Sequence, residues 1–167
     1  MFSNLSPFTK LHVVISLIAI LSGLVVMSGL LVSRRFNGWT ALFLISTVLT
    51  SVTGLFFPFS GVTPGIVLAL ISLVLLAVAI VARYARHLSG AWRWLYVVTA
   101  MISLYLNVFV LIAQLFQKVP ALKALAPTQS EPPFAITQLV VLAMFGLLTI
   151  LAAIRFRQPQ RGQYRER

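Results

Sequence analysis

Five apolar stretches, each close to the roughly 20 residues an α-helix needs to cross the hydrocarbon of a bilayer, leave this chain few ways to fold. They fall near 11–32, 39–59, 63–82, 94–116 and 134–154. Lipid offers no partner to a backbone N–H or C=O, so each span must satisfy its own hydrogen bonds and be helical. The expectation is therefore all-α: an integral membrane bundle of five transmembrane helices. Residues 1–157 form one domain, and 158–167 form a disordered basic cytoplasmic tail. Composition agrees, because 60% of the residues are hydrophobic and 9% are charged, where a soluble domain carries about a quarter charged.

The breaks between the spans are written in turn residues and arginines. Arg34 and Arg35 close the first span, and "RYARHLSGAWR" (83–93) separates the third from the fourth. Residues 39–82 are nearly continuous in apolarity but twice as long as one span, and "PFSGVTPG" (58–65) supplies a hairpin turn with two prolines. The segment "VPALKALAP" (119–127) predicts a short interfacial helix in the last outer loop, with Pro120 at its first position. "TQSEPP" ends it, since Pro132 holds Glu131 extended.

The net charge of +11 reads as topology rather than as a nucleic-acid footprint. Lys10, Lys118 and Lys123 lie on one side, and the ten arginines lie on the other, which places the C-terminus in the cytoplasm and the N-terminus outside. The first span is a retained helix on this reading, because a secretory leader carries its positive charge before the apolar run and here the Arg pair follows it. Arg34, Arg35, Arg83, Arg86 and Arg93 are the expected contacts to anionic lipid headgroups.

Polar residues inside the spans are few and share faces. Ser103, Asn107 and Gln114 lie within about 40° of one another on a helical wheel. His12 and Ser16 share a face of the first span, Thr53 belongs to the second, and Gln138 stands near the outer end of the fifth. Two readings remain open. These groups serve helix packing, as amides and hydroxyls do between membrane helices, or His12, Ser16, Thr53, Asn107, Gln114 and Gln138 line a small polar pocket in the outer half. In the second reading the loop with Pro120 and Glu131 is its lid.

Several chemistries are disfavoured. His12 and His87 belong to opposite membrane faces, about 30 Å apart, so they cannot share a haem, and the absence of Cys and Asp removes the usual zinc and di-iron ligand sets. No cofactor is expected. The two carboxylates, Glu131 and Glu166, lie outside the spans, so no intramembrane acid is present to carry protons or sodium.

The strings "GWTALFL" (38–44), "TSVTGLFFPF" (50–59), "GAWRWLYV" (90–97), "LNVFVLIAQLFQKVPAL" (106–122) and "APTQSEPPF" (126–134) resemble small multi-pass membrane proteins of proteobacteria to which no activity is assigned. The resemblance implies a bacterial inner membrane and nothing about chemistry. The leading expectation is a non-enzymatic protein that acts by association, as an accessory or assembly component of a larger membrane complex. The alternative is a binding or permeation protein whose outer pocket takes a quinone or a lipid.

Overall fold

Prolines and hydroxyls mark where helices begin. In the computed structural model, which describes residues 6–57, 61 and 63–156, α1 (Pro7–Leu31) starts with Pro7 at its first position. Ser6 Oγ accepts the Thr9 amide at 3.2 Å there. The same device opens α3 (Pro64–Ile80), where Thr63 Oγ1 accepts from the Ile66 amide. Pro120 opens α5 (Pro120–Leu125) and Pro132 opens α6 (Pro132–Arg155). A proline at the first helical position gives up an N–H that would have had no helical partner. Between these lie α2 (Asn37–Leu55) and α4 (Trp92–Lys118).

Among the described residues, five helices are long and apolar enough to cross a membrane, and α5 is the short helix between α4 and α6. The bundle of five spans is therefore observed, with ends within a few residues of those expected. The second helix stops at Leu55 rather than Phe59. Residues 58–60 and 62 of the expected hairpin turn, and the basic tail from residue 157 onward, lie outside the described residues.

One feature of the third span was not anticipated. Its last turn, Val81–Ala85, widens to a π-helical turn in which the Arg86 amide donates to the Val81 carbonyl five residues back, at 2.9 Å. The chain then leaves through His87, Leu88 and Gly90, all with positive φ. Such a bulge re-aims side chains relative to an unbroken helix.

Packing runs in a ring: α1 on α2, α2 on α3, α3 on α4, and α4 back on α1, with α6 laid against the seam of α4 and α1. The close approach at the middle requires Gly23. A Cβ there would sit 2.5 Å from Leu104 Cδ1 and 2.9 Å from Phe43 Cε2. The core lies toward the arginine-bearing end and includes Val26 and Leu30 of α1, Phe43 and Leu44 of α2, and Tyr96 and Met101 of α4. Toward the other end, α4 has no buried side chain between Leu104 and Phe116.

Candidate functional site

The polar side chains of the spans divide into two groups by what they bond. Several hydroxyls turn back on their own helices. Ser16 Oγ donates to the His12 carbonyl, Ser46 Oγ to Leu42, Thr99 Oγ1 to Leu95 and Ser103 Oγ to Thr99, each one turn earlier and within 2.9 Å. A hydroxyl satisfied in this way needs no partner from another helix.

Imidazole and amides reach across. His12 Nδ1 lies 2.7 Å from Thr53 Oγ1. The Thr53 proton goes to the Leu49 carbonyl at 2.6 Å, so Thr53 accepts and His12 Nδ1 carries the hydrogen. Gly54 lies beside the ring, whose Cε1 would be in ordinary contact, at 3.7 Å, with a Cβ there, and Phe57 meets the ring edge-on at 5.1 Å. On α4, Asn107 Nδ2 donates to Thr47 Oγ1 of α2 at 3.3 Å. Gln138 of α6 donates through Nε2 to the Phe109 carbonyl at 3.2 Å, while its Oε1 is buried with no partner.

Five of the six residues of the expected pocket thus fall in three separate contacts. His12, Ser16 and Thr53 form one, Asn107 with Thr47 a second, and Gln138 with α4 a third. Gln114 joins none of these and is exposed. The helical wheel aligned it with Asn107 correctly, but by residue 114 no neighbouring helix packs closely enough on α4 to bury that face.

The loop expected as a lid is fastened by a residue that sequence reasoning passed over. Gln129, at φ 61°, donates from Nε2 to the Ala113 carbonyl of α4 at 2.6 Å and accepts at Oε1 from Gln117. Glu131 organises the turn beneath it, accepting from the Thr128 amide at 3.1 Å, from Thr128 Oγ1 at 2.9 Å and from the Ser130 amide at 3.1 Å. Desolvation pushes its pKa up, but these hydrogen bonds outweigh that and hold the carboxyl below its ordinary range. Pro120 opens α5, which buries none of its residues.

At the opposite end Arg35, Arg83 and Arg86 meet neutral partners. Arg83 Nη2 donates to Asn37 Oδ1 at 2.7 Å, and the guanidinium lies 5.3 Å from the centre of the Tyr96 ring. Arg86 stacks on Trp92 at 5.2 Å and Arg35 on Phe156 at 5.9 Å. Arg34 is exposed, and its backbone amide closes α1 by donating to Gly29. Arg93 is half-buried, with Nη1 enclosed and unpartnered. Asn37 and Tyr96 carry a signal that was available in the sequence: both sit at helix starts at the same depth as Arg83.

Among the described residues, no three of the His, Cys, Asp and Glu side chains stand close enough to hold a metal ion. No family model, curated protein or solved structure matches the chain.

Proposed function

We propose that this membrane protein is non-enzymatic and acts by association, as an accessory or assembly component of a larger membrane complex. On this reading it lies in the bacterial inner membrane, with its N-terminus outside and its C-terminus cytoplasmic. The observation that carries the reading is the state of α6. Only 11% of its apolar window is buried, against 39% for α1 and α4. Its outward face includes Leu139, Gly146 and Ile150, and nothing lies within 4 Å of a Cβ placed on Gly146. Small residues let membrane helices approach closely, and within this chain that capacity goes unused. The interhelical polar bonds support the same reading, since they are made within the bundle rather than aimed at a shared cavity.

A photocrosslinking amino acid at Ile150, with another at Leu70 of α3 for comparison, tests this in the native membrane. A discrete crosslinked partner from position 150 and not from 70 is expected. Crosslinks to lipid alone from both positions would overturn it.

A second reading has one observation in its favour. The unpartnered Oε1 of Gln138, on a residue only 7% exposed, lies in the loosely packed half beside α4. A bound quinone or lipid hydroxyl would satisfy it. A small molecule retained at one equivalent through purification, and lost in Gln138→Leu, would favour that reading over association.

A further inference from the structure

Two grooves meet on the surface between α2 and the end of the third span. One, of about 400 Å³, is apolar and is bounded by Leu44, Ile45 and Val48 of α2 and by Ile80. The other, of about 420 Å³, is bounded by Arg35, Asn37, Arg83 and His87. Ala41 and Tyr84 line both, so the two adjoin. Asn37 begins α2 at the arginine-bearing end, and Leu49 on the wall of the apolar groove lies about 12 Å further along the helix axis than Ala41. The cationic mouth therefore stands at the membrane boundary and the apolar part descends into the hydrocarbon.

The charge of Arg35 and Arg83 at that mouth is positioned, and among the described residues no carboxylate pairs with either of them. Arg83 is set by Asn37 and by the Tyr96 ring, both neutral. The chain's carboxylates are Glu131, in the loop at the other end of the bundle, and Glu166, outside the described residues. A planar guanidinium with forked N–H donors is suited to phosphate oxygens. The π-helical turn bears directly on this, because it carries both Arg83 and Tyr84.

We infer that this groove is a site for one anionic phospholipid. Its phosphate lies between Arg35 and Arg83, and one acyl chain runs along α2 past Tyr84. A free phosphate would use only the mouth and leave the contiguous apolar groove without an occupant, and a zwitterionic lipid would bring its own cation toward the two arginines. The site is independent of the association reading and narrower than general attraction to headgroups, since it selects Arg35 and Arg83 and leaves Arg34 out.

Native mass spectrometry of the full chain in a neutral detergent tests it by titration with dioleoylphosphatidylglycerol, dioleoylphosphatidylcholine or inorganic phosphate. One phosphatidylglycerol should bind about tenfold more tightly than phosphatidylcholine, as befits charge-assisted hydrogen bonds. Arg35→Gln should remove most of that preference. Ala41→Phe, which narrows the shared stretch and removes no cation, should weaken phosphatidylglycerol by a similar factor. Arg34→Gln should change nothing. Arg35 is exposed, so its variant carries the test even where Arg83→Gln, which loses the Asn37 bond, disturbs folding. Equal affinity for the two lipids, or an Arg34→Gln loss as large as that of Arg35→Gln, would overturn the site in favour of diffuse charge. Phosphate binding as tightly as phosphatidylglycerol would overturn the lipid assignment, as would an Ala41→Phe variant that binds normally.

Discussion

Gly23 illustrates how a single residue sets the spacing of three helices. Its missing side chain lets Phe43 and Leu104 approach α1, and any larger residue must displace them. Gly23→Leu should lower stability by about 1–3 kcal/mol, the usual cost of overpacking, read as a drop in the midpoint of unfolding in detergent. The exposed Gly146→Leu control should cost far less. Glu131 shows a different residue-scale effect. Its carboxyl is held below the ordinary value of 4.5 by hydrogen bonds made in the folded loop. Its contribution to the loop is therefore complete above the unfolded pKa and is lost as pH falls through the lower folded value. The protection of the Thr128 and Ser130 amides, read as exchange relative to an unstructured peptide at the same pH, should be present at pH 7 and be lost as pH falls below about 4.5. Glu131→Gln should lack that protection already at pH 7.

Between elements, the polar bonds that cross the bundle are few enough to test one by one. Asn107 joins α4 to α2 through Thr47, and a bond of this kind contributes about 1 kcal/mol in a membrane bundle. Asn107→Leu and Thr47→Val should each cost about that much, and the double variant should cost less than their sum. Gln114→Leu, two turns along the same helix and exposed, should fall within about 0.5 kcal/mol of wild type. A large loss at Gln114 would mean that the outer part of α4 is covered by something other than this chain's own helices. The latch between Gln129 and α4 belongs to this scale too. Gln129→Ala should speed proteolysis of the 126–131 loop while leaving the unfolding midpoint of the spans nearly unchanged, because the loop adds little to the core.

For the molecule as a whole, the odd number of spans and the gathering of arginines at one end support the proposed orientation. A fluorescent protein that matures only in the cytoplasm, fused after residue 167, should be bright. An alkaline phosphatase at the same position should be inactive, and phosphatase activity there would reverse the proposed topology. The same asymmetry extends to packing: the buried core and the charged cluster share one half of the bundle, and the other half holds His12, Gln138 and the latched loop. Close packing is thus concentrated at the arginine end, where the proposed lipid groove lies.

The number, length and helical character of the spans were legible in the chain itself, because lipid allows one solution to backbone hydrogen bonding and the apolar runs have the length it demands. The shared face of Ser103 and Asn107 was legible for a similarly local reason, the 3.6-residue period. Which polar groups pair was not. A helical wheel gives direction but not the position of the neighbouring helix, so it aligned Gln114 with Asn107 although only Asn107 has Thr47 opposite it. It gave no sign that Ser103 and Ser16 would bond their own backbones. The π-helical turn that brings Arg83 to Asn37 and Tyr96 depends on three helix ends meeting at one depth. That meeting is a property of the packed ring, and only the tertiary structure decided it.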